Sequence, residues 1–163
     1  MRKMVLSLLV RNEAGITSRI SALFTRRGYS MESITGGDTE NPGIARLTVV
    51  VSGEEHVLEQ VKKQLAKIDD VIEIQELEPD NSVCRELVLV RVAVNEIQRP
   101  EIVSVANIFR ANVLDVAKDS LMIELTGNKS KLDAFLELLR GYEILGIART
   151  GITGLFRGMY IEK

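Results

Sequence analysis

Apolar residues in the first half of this chain recur with two different periods. The order in which those periods alternate constrains the fold more tightly than anything else in the sequence. Residues 3–10, "KMVLSLLV", are apolar on both faces of a strand, with Leu6, Leu8 and Val10 alternating against Val5 and Leu9. Ile16, Ile20, Leu23 and Phe24 then lie on one helical stripe. Arg26, Arg27 and Gly28 close that helix, with cations in the last turn and glycine just beyond it. Residues 29–35 read as a second strand and "GGDTENPG" (36–43) as a hairpin loop. Residues 44–51 make a third strand with Leu47, Val49 and Val51 on one face. A second helix from Glu54 presents Leu58, Val61, Leu65 and Ile68, and residues 71–77 alternate as a closing strand. The order β-α-β-β-α-β is the split, ferredoxin-like arrangement.

"EPDNSV" (78–83) is a polar, proline-containing boundary, and beyond it the element order repeats. "ELVLVRVAV" is a strand, and after Pro100 a helical stripe carries Ile102, Val105, Ala106 and Phe109. Short strands follow at 113–117 and 121–125, then a stripe of Leu132, Phe135, Leu136 and Leu139, then a closing strand over 144–152. The expected class is α+β, with two small ferredoxin-like βαββαβ domains at 1–78 and 85–163 and a linker at 79–84. An open sheet leaves an unpaired edge and an apolar outer face, and pairing of two copies is expected to cover both.

Composition removes several function classes. Lys plus Arg is 21 and Asp plus Glu is 23, with no long basic block; aromatics are 4% and Trp is absent. That balance argues against nucleic-acid binding. Cys84 is the single cysteine, so an intrachain disulfide framework is impossible and a reducing, cytoplasmic setting is expected. The apolar run after the basic N-terminus stops at Arg11-Asn12-Glu13 without a cleavage pattern, and no apolar stretch is long enough for a bilayer. His56 is the one histidine, beside Glu54 and Glu55, and reads as a solvent-facing first-turn residue. Neither it nor Cys84 has a partner at metal-ligand or nucleophile–base spacing. Gly151, Gly154 and Gly158 of "GITGLFRG" do not open a helix after a strand, and bends or turns explain them. No catalytic residue, metal or cofactor is therefore expected in this chain.

What remains is the turn in "VRNEAGITSRI" (10–20), between the first strand and the first helix. The first N–H groups of a helix lack intrahelical partners and carry partial positive charge, so a small carboxylate fits there. Asn12 offers an amide and Gly15 lets a ligand approach the backbone. From spacing alone, a plain turn and cap account for the same residues.

"NEAGITSRISALFTRRGYSMESI" resembles the opening motif of the ACT domains in the regulatory small subunit of acetohydroxyacid synthase, also called acetolactate synthase. The resemblance extends through "ARLTVVVSG", "VLEQVKKQLAKIDDVIEI", "CRELVLVRV" and "KLDAFLELLR" to "ARTGITGLFRG", almost the whole chain. It implies an N-terminal ACT domain in a subunit without catalysis of its own. Such a subunit binds the large catalytic subunit, raises its activity and confers feedback inhibition by valine or another branched-chain amino acid. Thiamine diphosphate, Mg and FAD are then expected on the catalytic subunit. The same resemblance implies a homodimer, with the effector's polar end met by Asn12, Gly15 and Ile16 of one protomer and the other side supplied by Ser30 and Met31 of its partner. Two positions depart from the family pattern: Ser30 stands where Asn is common, and Thr17 where an apolar residue is usual. The alternative is an amino-acid-sensing ACT module of a transcriptional regulator. That would need a helix-turn-helix with a basic recognition helix, and "KSKLDAFLELLR" has basic residues only at its ends.

Overall fold

A computed structural model describes residues 1–160 and divides the chain into two units. The first contains β1 (Arg2–Arg11), α1 (Ile16–Arg27), β2 (Ser30–Asp38), β3 (Ile44–Gly53), α2 (Glu55–Ala66) and β4 (Val71–Leu77). Its antiparallel sheet has the order β2-β3-β1-β4. Met4, Leu6, Leu8 and Val10 on the inward face of β1 pack with Ile16, Ile20 and Phe24 of α1 and Leu58, Val61 and Leu65 of α2. Each such side chain contributes roughly 1.5–3 kcal/mol by leaving water, so the stripe spacing alone holds both helices on that face. Gly28 ends α1 in the left-handed region, its N–H bonded to the carbonyls of Phe24 and Thr25.

The second unit repeats the order with β5 (Ser82–Ala93), whose first three residues belong to the first unit, α3 (Gln98–Ile108), β6 (Asn112–Val116), β7 (Ser120–Gly127), α4 (Lys129–Leu138) and β8 (Ile144–Arg149). Its strands run β6-β7-β5-β8, and Val88, Val90, Val92, Ile102, Ile123, Leu132 and Phe135 fill its core. α3 begins ahead of Pro100, which sits in its first turn, where proline is tolerated. Both units thus have the expected ferredoxin-like βαββαβ order.

The C-terminal end differs from expectation. The closing strand foreseen over 144–152 is broken: β8 stops at Arg149, and β9 (Thr153–Phe156) pairs with β5 as part of the first unit. The second unit therefore ends at Thr150 instead of running through 85–163, and Ser82 already belongs to β5 although 79–84 was expected to be linker. Hydrogen bonds and packing hold the returning segment in addition to its pairing with β5. The Thr35 hydroxyl donates to the Ile152 carbonyl (2.7 Å), the Arg157 N–H donates to the Asn81 carbonyl (2.8 Å), and β9 packs on β3 and β4.

Two of the glycines taken for bends in fact permit close packing. A Cβ at Gly151 would stand 2.7 Å from the Ser33 Cβ, and one at Gly154 would stand 2.7 Å from the Cys84 Sγ and 3.0 Å from the Val83 carbonyl oxygen. On the outward side of the first sheet, Ser7, Thr48, Val50 and Leu77 are all buried. The chain's own β9 contributes to that cover by packing on β3 and β4.

Candidate functional site

β1 ends at Arg11, and the turn that follows is fixed by backbone bonds on both sides. The Asn12 N–H donates to the Gly43 carbonyl (2.8 Å), which belongs to the β2–β3 loop, and the Glu13 N–H donates to the Arg11 carbonyl (2.8 Å). Gly15 caps α1 in the left-handed region (φ 86°, ψ 3°), a conformation that costs a non-glycine residue roughly 1–2 kcal/mol. Its carbonyl accepts from the Arg19 N–H (2.9 Å). α1 has no side-chain cap and no acidic residue in its first turn. The Ile16 N–H reaches the Glu13 carbonyl at 3.3 Å, and those of Thr17 and Ser18 are left without an intrahelical acceptor at the positive end of the helix. A Cβ built on Gly15 meets no atom within 4 Å, so the space beside these donors is open.

Of the residues singled out from the sequence, Asn12, Gly15 and Ile16 come together at this turn. Ile16 is 5% exposed with its side chain in the core, which leaves only its backbone for a ligand. Ser30 and Met31 lie elsewhere. They pair with Ser52 and Val51 of β3, which in turn pair with Lys3 and Met4 at the start of β1. From Met4 to Arg11 the strand rises roughly 23 Å at about 3.3 Å per residue. One chain therefore does not bring the two groups together. β2 is an edge strand, and Ser30 on it is exposed.

Sequence reasoning missed the group that Asp70 forms with Arg11 and Arg19 beside this turn. Asp70, just before β4, accepts the Arg11 N–H on its carbonyl (2.8 Å), continuing the β1–β4 ladder beyond the Val10–Val71 pair. Its carboxylate takes Arg11 Nε on one oxygen (3.3 Å) and Arg19 Nη2 on the other, while Arg11 Nη2 donates to the Asp69 carbonyl. The Arg19 and Arg11 guanidiniums hold the Asp70 carboxyl below the usual carboxylate range. "KIDDV" carries no spacing that announces this; it takes the sheet order to set the start of β4 beside the end of β1. Elsewhere, His56 is exposed in the first turn of α2, and the Cys84 Sγ lies 4.0 Å from the Ser82 hydroxyl. Among the described residues no group of three or more His, Cys, Asp or Glu is placed to hold a metal, and no helix is long and apolar enough to cross a membrane.

A βαββαβ unit with an open helix N-terminus at its first turn, followed by a second unit of the same order, defines the class. Residues 6–73 match the model of an AHAS small subunit-like ACT domain, and residues 85–158 match that of the small subunit of acetolactate synthase. A protein of Methanothermobacter thermautotrophicus described as "Probable acetolactate synthase small subunit" is 49% identical over 155 residues, covering 94% of this chain and 92% of that one. The acetolactate synthase small subunit of Mycolicibacterium smegmatis is 46% identical over 153 residues, covering 94% and 90%. The crystal structure of the acetolactate synthase small subunit from Thermotoga maritima superposes with a TM-score of 0.90 at 38% identity, covering 96% of this chain and 98% of that one. The chain belongs to the family of acetolactate synthase small, regulatory subunits, and its first unit is an ACT domain.

Proposed function

We propose that this chain binds the catalytic subunit of an acetolactate synthase, raises its activity and makes it sensitive to feedback by valine or a related branched-chain amino acid. The observation that carries the effector half of this reading is the open N-terminus of α1: an unfilled space at Gly15 beside N–H groups with no side-chain cap and no acid. An amino acid's carboxylate would accept from Thr17 and Ser18, and the Asn12 amide would meet its ammonium. The side chain of the effector needs an apolar wall, and Ser30 and Met31 would supply that side from a second copy, paired through the exposed β2 edge. Thiamine diphosphate, Mg and FAD would reside on the catalytic subunit, in the cytoplasm, and this chain would make no acetolactate alone. Reconstitution tests the whole reading. The chain should give no turnover of pyruvate by itself, should raise the rate of added catalytic subunit, and should make that rate fall with valine. Stimulation that valine leaves unchanged would remove the effector half and keep the partner half.

A further inference from the structure

The turn at Asn12–Gly15 is flanked by a strand that ends and a helix that begins, and one side chain reaches both. Asp70 receives the last strand residue, Arg11, through its backbone carbonyl and one carboxylate oxygen, and receives Arg19 of the helix through the other. Arg19 is the residue whose N–H closes the first helical turn on the Gly15 carbonyl. Arg11 adds a bond to the Asp69 carbonyl, so the α2–β4 corner grips the strand end by main chain and side chain together.

An exposed ion pair on its own contributes little to stability. The Asp70 side chain, however, is 16% exposed, against 51% for Arg11 and 47% for Arg19, and it engages two elements at once. Its consequence is geometric more than energetic. Within the turn Glu13 joins the same two elements through its backbone, and Asp70 joins them from outside through a carboxylate.

We propose that Asp70 is the positioning residue of the effector turn, setting the distance between Asn12, whose side-chain amide would face the ligand, and the first-turn N–H groups of α1. Those are the two places where the ammonium and the carboxylate of one bound amino acid would be met, so the proposal rests on the effector reading above. A ligand with two charged ends is sensitive to this spacing, because a displacement of a fraction of an ångström at either end loosens both contacts.

The test uses the full chain with Asp70→Ala, and Asp70→Asn as the near-isosteric second variant should alanine loosen the fold globally. Amide-resolved hydrogen exchange without amino acid reads the turn directly, and valine titration by calorimetry reads the site. The expected result is faster exchange at Glu13 and Arg19 by about fivefold or more, while Leu6 and Leu8 in the middle of β1 keep their protection. Valine affinity should weaken about tenfold, while the melting temperature without valine drops by no more than about 3 °C. Unchanged exchange at Glu13 and Arg19 in either folded variant overturns the proposal. A wild-type chain that binds no valine overturns the effector reading instead, and the exchange experiment still decides the role of Asp70.

Discussion

The β1–α1 turn of the first unit and the β5–α3 turn of the second are built on the same backbone bonds and end differently. In the first, Arg11 donates to the Asp70 carbonyl, Asn12 to that of Gly43, and Arg19 to that of Gly15. In the second, Ala93 donates to the Glu143 carbonyl, Val94 to that of Asp119, and Arg99 to that of Asn95. Asn95 therefore occupies the place of Gly15, although "NE" at 95–96 invites alignment with "NE" at 12–13.

The Asn95 side chain accepts from the N–H groups of Ile97 (2.9 Å) and Gln98 (2.8 Å), and the Gln98 side chain accepts from the N–H of Asn95 (3.1 Å). This reciprocal cap consumes the donors that the first unit leaves open. A cleft of about 490 Å³ lies beside it, but Asp119 and Glu143 line it, which disfavours a carboxylate. A repeated scaffold thus yields one turn with free donors and one with none, and two side chains make the difference.

The largest effect should come from the part of the first unit that is distant in sequence. A chain stopped after Thr150 keeps every strand and helix of the second unit but removes β9 from β3 and β4, where Gly154 lies against Leu77, 4% exposed in the intact protein. Re-exposing a side chain of this kind costs roughly 1.5–3 kcal/mol, before the lost strand pairing is added. For a unit of this size that is a fall of roughly 10 °C or more in melting temperature. Calorimetry should resolve a weakened first unit from an unchanged second. Identical melting of the shortened and intact chains would mean that β9 covers nothing of consequence. A fragment ending near Pro79 also lacks β9, and its melting temperature should fall in the same way.

The periods of the apolar residues carried most of the fold, because strands and helices that bury one face must declare it locally. Leu6, Leu8 and Val10 announce β1, and Leu58, Val61 and Leu65 announce α2, whatever else the chain does. β9 was not legible that way. "TGLF" is four residues long, and its place is set by glycines whose missing Cβ atoms matter only once Ser33 and Cys84 are known to lie opposite. The same limit applies at the site. Gly15 and Asn12 stand out locally, whereas Asp70 acquires meaning from the pairing of β1 with β4.

Gly15 gives the second largest effect and needs a control that the sequence alone does not call for. Since φ is 86°, Gly15→Asp would strain the backbone as well as add charge, and a bare comparison with wild type confuses the two. Gly15→Asn has nearly the same shape and the same left-handed preference without the charge. Both variants should fold, each destabilised by about 1–2 kcal/mol or less. In paired melts with and without excess valine, the Asp variant should show no stabilisation, while the Asn variant keeps more of it. Asn95→Asp, the same charge at the capped turn, should leave the valine shift at its wild-type size. Equal shifts in Gly15→Asp and wild type would show that the open turn is not where the effector's carboxylate goes.

The smallest effect distinguishes the two turns by pH, because their cross-ties are of different chemistry. In the first unit the tie is the Asp70 carboxylate between Arg19 and Arg11, and its folded pKa lies below the ordinary Asp value of about 3.9. A depressed carboxylate contributes fully above that ordinary value and loses its contribution as pH falls through the lower folded one. In the second unit, the Tyr142 hydroxyl donates to Glu101 of α3 (2.8 Å), just ahead of β8, and that bond raises the Tyr142 pKa above its ordinary value of about 10. A raised phenol contributes fully below that value and loses its contribution as pH rises through the higher folded one. The cap itself, Asn95 with Gln98, does not titrate. Between about pH 6 and pH 3, protection of the Arg19 amide should therefore fall relative to that of Arg99, by no more than about threefold since the groups are solvent-accessible. At the alkaline end, Tyr142→Phe should remove from the absorbance titration a phenol that titrates above its ordinary value. Protection of Arg19 and Arg99 falling in parallel down to pH 3 would mean that Asp70 does not tie the first turn.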